Sequence, residues 1–218
     1  RRQRQMCKET GPELSDAESH AITSELTARA LASDWVVLAG SLPRGVNTDW
    51  YCDLISAVRA AAPQARIAVD TSDAPMQAIG ESLNSAAPDL IKPNGLELGQ
   101  LTGTDGRELE DQAARGEYSG VVRAARDVVK QGIAEVLVTL GGAGAVLVTA
   151  DGAWAATPPP ATVKSTVGAG DAALAGYLLG RTAGKSPADS LAQSVAYGLR
   201  LHPNKAPNSL SLIHISEP

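Results

Sequence analysis

The chain has 218 residues, a formal net charge of −5, 44% hydrophobic and 3% aromatic residues, and no Phe. That length supports one large domain with a sizeable core, while the acidic balance and the scarcity of rings exclude the basic footprint and stacking platforms of a nucleic-acid binder. Cys7 and Cys52 form no CxxC pair, and His20, His202 and His214 show no metal-ligand spacing, so reduced thiols are expected and a disulfide framework or a zinc site is not.

Taken in chain order, Ser15 and Glu18 form a capping box that opens a helix with Ile22, Leu26 and Ala30 at helical spacing. Residues 35–39 (WVVLA) read as a buried strand, followed by a turn-rich loop, Gly40-Ser41-Leu42-Pro43-Arg44-Gly45. A helix spans about 48–62, with Tyr51, Leu54, Ile55 and Val58 on one face and Pro63 past its end. Residues 66–70 (RIAVD) form a second strand and 90–92 a short third one, ended by Pro93. A helix starts near Gly95, and another covers 118–131 with Gly132 as its cap. Residues 135–140 are a strand, joined by a glycine turn (141–144) to 145–149, and Asp151-Gly152 turns the chain into 153–156. The order is helix, strand, helix, strand, helix, strand, helix, hairpin, then a final helix after Gly168. Such alternation implies an α/β layered fold with a mostly parallel sheet. Ligands of such sheets sit at the carboxyl ends of the strands, so the loops after Ala39, Asp70, Lys92 and Leu140 are expected to build one site.

The richest segment is Ser165-Thr166-Val167-Gly168-Ala169-Gly170-Asp171, between a β-type run (161–163) and an apolar helix (172–179). Its glycines let backbone approach a ligand. The free amides and dipole of the first helical turn attract an anion, and an acid beside that anion suits phosphoryl transfer. Alone, it reads equally as a tight turn whose Asp complements the dipole. Asn94 and Glu97, three apart at a helix start, read as an N-cap with its N3 partner, or as holders of the water shell of Mg²⁺. Thr139-Leu140-Gly141-Gly142-Ala143-Gly144 could approach a phosphate tail or ribose, or be a plain turn. It is neither a Walker A loop nor a GxGxxG fingerprint, since position 147 is Leu. Ser41, Asp70, Thr71 and Ser72 stand at strand ends, where loop hydrogen bonding is the ordinary use of such residues.

In this order, Gly11-Pro12-Glu13-Leu14, Gly40-Ser41-Leu42-Pro43, Asp70-Thr71-Ser72, Lys92-Pro93-Asn94 with Glu97-Leu98, Thr139 with Gly141 and Gly144, and the Gly168–Asp171 motif resemble the PfkB (ribokinase-like) carbohydrate kinases, nearest the 1-phosphofructokinase subgroup. The resemblance implies a ribokinase-like three-layer α/β/α fold. It makes Asp171 the catalytic base, with Gly168, Ala169 and Gly170 as the anion hole. It places Asn94 and Glu97 at Mg²⁺, Thr139, Gly141, Gly144, Lys92 and Asn94 at ATP, and Ser41 and Asp171 at the sugar phosphate. Ser165 favours a phosphosugar, because ribokinases usually carry Asp there. The implied reaction moves the γ-phosphate of ATP to the 6-hydroxyl of fructose 1-phosphate. Tagatose-6-phosphate or fructose-6-phosphate kinase is the alternative within the family, and a non-catalytic nucleotide-binding or regulatory domain the alternative outside it. An NAD-dependent oxidoreductase lacks its glycine fingerprint and ribose-binding acid here.

The family's opening sheet segment, with its sugar-binding Asp, its Gly-Gly-Lys-Gly loop and its lid strands, has no counterpart. The N-terminal third and the lid are therefore expected to be missing, with 1–10 a lid or linker remnant and 11–209 a partial kinase domain. The fragment is expected to be inactive, only marginally stable, and unable to form the family's lid dimer. Residues 210–218 read as the translation of a sequencing adapter and are expected to stand outside the fold. Gly95 departs from the larger polar residue usual in the family, and Ala39 and Ala172 from Ser. No apolar run reaches the length of a membrane span and no apolar stretch follows the basic segment 1–8, so a cytoplasmic protein without membrane or nucleic-acid contacts is expected.

Overall fold

The computed structural model describes residues 12–159, 168–199 and 210–215. Cys7, Gly11, the run 161–163, Ser165 and His202 lie outside the described residues.

Helix α1 (Asp16–Ala30) opens on the expected capping box, in which the Glu18 carboxylate accepts from the Ser15 N–H at 2.9 Å and Ser15 Oγ accepts from the Glu18 N–H. Its apolar spacing does not make a buried face, since only Ala30 is buried and Ile22 is 41% exposed. Strand β1 (Trp35–Ala39) also departs from the buried strand expected. It alternates, with Val36 and Leu38 buried and Val37 exposed, because among the described residues β2 (Arg66–Asp70) is its one neighbour in the sheet. Between them, α2 (Trp50–Ala61) buries Tyr51, Leu54, Ile55 and Val58, the face its period requires.

Helices α3 (Asp73–Glu81) and α4 (Leu83–Ala86) lead to β3 (Leu90–Ile91) and α5 (Gly95–Thr102). Helix α6 (Gly106–Ala114) was not anticipated, although Asp105 caps it by accepting from the N–H groups of Arg107 and Glu108. Helix α7 (Ser119–Lys130) precedes β4 (Glu135–Thr139), a 3-10 turn (Gly141–Ala143), β5 (Ala145–Thr149) and β6 (Ala153–Thr157). Helix α8 (Ala169–Thr182) carries the Gly168 motif at its start, and α9 (Pro187–Gly198), also unanticipated, is capped by Ser186 with Pro187 in its first turn.

Among the described residues, one seven-stranded sheet runs β1 to β6 in sequence order and ends on β7 (Ser211–His214). The pairings from β1 to β4 are parallel and those from β4 to β7 antiparallel, so the sheet is mixed rather than mostly parallel. Strand β7 lies within 210–218, the segment expected to stand outside the fold, and pairs with β6 instead. Its β-forming Leu-Ile-His sequence adds to the open edge of β6, with the His214 ring edge-on to Trp154 at 5.8 Å.

Successive strand residues serve opposite faces. Ile67, Val69, Val136, Val138, Val146 and Val148 join a core with residues of α1–α7. Ala68, Leu90, Leu137, Ala145 and Leu147 join Leu174, Tyr177, Leu191 and Val195 of α8 and α9. Among the described residues the molecule thus has three layers, with α8 and α9 on one face of the sheet and α1–α7 on the other. The carboxyl ends of β1–β4 share one edge.

Candidate active site

The first loop at that edge is pinned to the next strand. The Gly40 N–H donates to the Asp70 carbonyl at 2.9 Å, and Thr71 Oγ1 and Tyr51 OH donate to the Gly40 carbonyl at 2.9 and 3.2 Å. Ser41 follows, exposed, and its hydroxyl makes no hydrogen bond among the described residues.

Asp70 and Lys92 extend the parallel register one step past Val69 and Ile91. Lys92 Nζ lies 3.0 Å from Asp70 Oδ1, with the two side chains 7% and 15% exposed. Burial raises the Asp70 carboxyl above its ordinary range, Lys92 opposes that shift, and the Asp171 charge adds to it. A Cβ on Gly170 would stand 3.2 Å from Lys92 Nζ. Glycine there lets the first turn of α8 descend over the ammonium. Gly168, the N-cap, holds φ at 73°, which costs glycine no Cβ clash. Asp171 is exposed in the same turn, close enough for its field to reach Asp70. A buried ammonium and a helix dipole therefore converge below an exposed carboxylate, an arrangement that can attract an anion beside a proton acceptor.

Asn94 and Glu97 form a complete capping box on α5, with Asn94 Oδ1 accepting from the Glu97 N–H and Glu97 Oε2 accepting from the Asn94 N–H, both at 2.8 Å. The capping reading of this pair is thus correct. It leaves Glu97 Oε1 without a hydrogen bond among the described residues. Burial raises the Glu97 carboxyl, while its bond to Asn94 and the Lys92 charge oppose that and Asp70 and Asp73 add to it. Among the described residues no three His, Cys, Asp or Glu side chains are gathered to enclose a metal ion. A Mg²⁺ that keeps most of its waters needs no such cage, and the uncommitted Glu97 oxygen fits that mode.

Asn94 is bridged to Thr139, whose N–H donates to the Pro93 carbonyl at 3.0 Å, so α5 and the glycine turn are held together. Gly141 is exposed and faces open space. Gly144 is buried at φ 94°, and a side chain there would strike the Ala156 carbonyl. Its glycine closes the hairpin, the Gly144 N–H donating to the Gly141 carbonyl at 3.1 Å and the Gly144 carbonyl accepting from the Leu140 N–H at 2.9 Å.

The structure therefore brings Lys92, Asn94, Glu97, Thr139, Gly141 and the Gly168–Asp171 turn to one sheet edge, with Ser41 on the loop after β1. Sequence reasoning missed Asp70 as the partner of Lys92. Their opposite charges at neighbouring strand ends were visible, but the register that makes them face each other was not. It also missed Asp73, which holds φ at 58° beside this cluster, the one non-glycine positive φ among the described residues.

Residues 9–199 match the model of the pfkB family carbohydrate kinases. The chain is 40% identical over 189 residues to the 1-phosphofructokinase of Rhodobacter capsulatus, covering 87% of this chain and 54% of that protein. It is 35% identical over 171 residues to the 1-phosphofructokinase of Escherichia coli K12, covering 78% and 50%. It thus spans about half the length of the curated relatives it matches. Among solved structures, phosphofructokinase-2 from Escherichia coli in complex with fructose-6-phosphate superposes with a TM-score of 0.73 at 26% identity, covering 90% of this chain and 61% of that one. With its ribokinase-like layers and the ordered loops at one sheet edge, this chain belongs to the pfkB family of carbohydrate kinases.

Proposed function

We propose that this chain carries the nucleotide site and catalytic base of an ATP-dependent phosphosugar kinase that phosphorylates the 6-hydroxyl of fructose 1-phosphate. The observation that carries the proposal is the approach of the α8 first turn to within 3.2 Å of a buried ammonium, measured from the Gly170 Cβ position to Lys92 Nζ, with Asp171 in that same turn. The substrate preference rests on the 1-phosphofructokinase relatives.

In this reading Asp171 accepts the proton of the sugar hydroxyl as the bond to phosphorus forms. A loose transition state asks little of the base until late, so a carboxylate suffices. The amides of Ala169 and Gly170, with Lys92 beneath, take up the charge on the transferring group. Asp70 holds Lys92 in place, and Thr139 and Gly141 border the phosphate tail. Glu97 and Asn94 would hold Mg²⁺ through its water shell, and the bound ion supplies neutralising charge to the ATP phosphates. Ser41, on the loop across the edge, meets the sugar phosphate.

The test extends the chain to the full length of its 1-phosphofructokinase relatives and, in that intact enzyme, compares fructose 1-phosphate, fructose 6-phosphate and tagatose 6-phosphate as acceptors, with ATP and Mg²⁺. The expected order of kcat/KM puts fructose 1-phosphate first. Asp171→Asn should lower kcat by about 10²–10⁴ with little change in ATP affinity. Turnover by that variant at the wild-type rate would remove Asp171 from the mechanism.

A further inference from the structure

Among the described residues, strand β1 ends the sheet, with β2 on one side and no strand on the other. Its ladder fixes which backbone groups face the open side. The Arg66 N–H donates to the Asp34 carbonyl at 3.0 Å and the Gly40 N–H to the Asp70 carbonyl at 2.9 Å, at the two ends of the parallel register from Trp35↔Arg66 to Ala39↔Asp70. Bonds of such a pair fall on alternate residues of each strand, so Asp34, Val36, Leu38 and Gly40 are turned to β2. The N–H and carbonyl groups of Trp35, Val37 and Ala39 are turned the other way, and none of them is bonded among the described residues.

The side chains repeat this division. Val36 and Leu38 are buried in the α1–α7 core, while Trp35, Val37 and Ala39 share the opposite face. Trp35 is half-buried there, with the Arg66 guanidinium 4.1 Å from its ring centroid. Val37 is 44% exposed and Ala39 is exposed. No charged residue, Pro or bulge interrupts the five apolar residues of β1, so the devices that ordinarily close a sheet edge are absent from it.

What fits this edge is an uncharged, extended strand, and β1 is itself one. Run antiparallel to a copy of itself about a twofold axis at Val37, it sets Val37 opposite Val37 and Trp35 opposite Ala39. Residues opposed in this way can exchange both backbone bonds. Here they are the residues whose groups are open, so every outward N–H meets a carbonyl and the amide dipoles match along the whole strand. On the shared face the large Trp35 ring stands beside the small Ala39 side chain. Asp34 falls opposite Gly40, so no like charges meet. A shift of one residue would set open groups against groups already bonded to β2, and a shift of two would leave open groups unpaired. Pairing β1 with the other sheet edge, β7, would be head-to-tail and would propagate rather than close.

We infer that a second copy of this chain pairs with β1, giving a closed twofold dimer whose sheet continues through both molecules. Because the two strands run antiparallel, the Ser41 loops leave the pair at opposite ends, away from the axis. The inference rests on the sheet edge and not on the phosphoryl-transfer reading.

The experiment is sedimentation equilibrium of the whole chain across a concentration series. The expected species are the 22.4 kDa chain and its dimer. Val37→Lys and Val37→Glu should each raise the dimer dissociation constant by roughly tenfold or more, because like charges then oppose each other at the axis. Mixed in equal amounts, the two variants should recover dimerisation. Hydrogen exchange on the unaltered chain checks the same register without any substitution. The amides of Trp35, Val37 and Ala39 should slow as concentration rises, while those of Val36 and Leu38 stay protected throughout. A monomer at every concentration, growth beyond the dimer, a dimer indifferent to both substitutions, a mixture that stays monomeric, or exchange at Trp35, Val37 and Ala39 independent of concentration would each overturn the inference.

Discussion

Glu135→Ala tests the brace that holds α8 to the sheet. Glu135 begins β4 at the edge opposite the active site, with its side chain 6% exposed. It accepts from Tyr177 OH at 2.8 Å, from an Arg66 guanidinium nitrogen at 2.8 Å and from Arg181 at 3.0 Å. Tyr177 and Arg181 belong to α8, Arg66 to β2, and Arg66 also stacks on the Trp35 ring at 4.1 Å. One carboxylate thus joins three elements.

Removing it strands Tyr177, which is fully buried, and Arg181, whose Nε already lacks a partner among the described residues. Breaking a buried pair on one side costs about 3–5 kcal/mol. Arg66 is 34% exposed and keeps its stacking contact, so its guanidinium regains water and the lower end, about 3 kcal/mol, is expected. Burial and the Glu135 charge push the Tyr177 phenol well above its ordinary range, so it stays a donor. Tyr177→Phe, which removes only one donor, should cost about 1 kcal/mol. Urea unfolding followed by Trp fluorescence reads both as shifts in midpoint at constant m-value. A loss below about 1 kcal/mol for Glu135→Ala would show that the carboxylate's desolvation cancels its bonds and that α8 is held by packing alone.

Glu97→Gln should keep the capping box, since Gln also serves at N3. Burial raises the Glu97 carboxyl in the folded state, so ionising it costs stability as pH rises above its ordinary value of 4.5. The variant should melt higher than wild type at neutral pH, and the gap should close as pH falls below 4.5; a gap independent of pH would refute the assignment. Gly168→Ala places a Cβ at φ 73° and should cost about 1–2 kcal/mol in denaturant. An unchanged midpoint would mean that the turn adopts another conformation.

Local chemistry was legible where neighbours in sequence are neighbours in space. The Ser15–Glu18 and Asn94–Glu97 boxes, the α2 face and the Gly168 turn each close within one helical turn, so residue spacing alone reveals them. Helices α6 and α9 escaped notice although Asp105 and Ser186 cap them, because Gly106 and Pro187 read as loop residues until the caps are seen in place. The exposure of β1 and the docking of β7 depend on what lies alongside each strand, and no residue within either strand encodes that.

By itself, the sequence determined the α/β order of elements, the candidate loops and the family, because motif order and apolar period are properties of the chain read in one dimension. Tertiary structure alone decided which of those loops meet. Strand register set Lys92 against Asp70, layer assignment put α8 above that pair, and α6 brought Glu110 to the vacancy at Gly95. These contacts join residues 15, 22 and 78 positions apart (Gly95 with Glu110, Asp70 with Lys92, Lys92 with Gly170), and only packing of the whole sheet with its helices selects them.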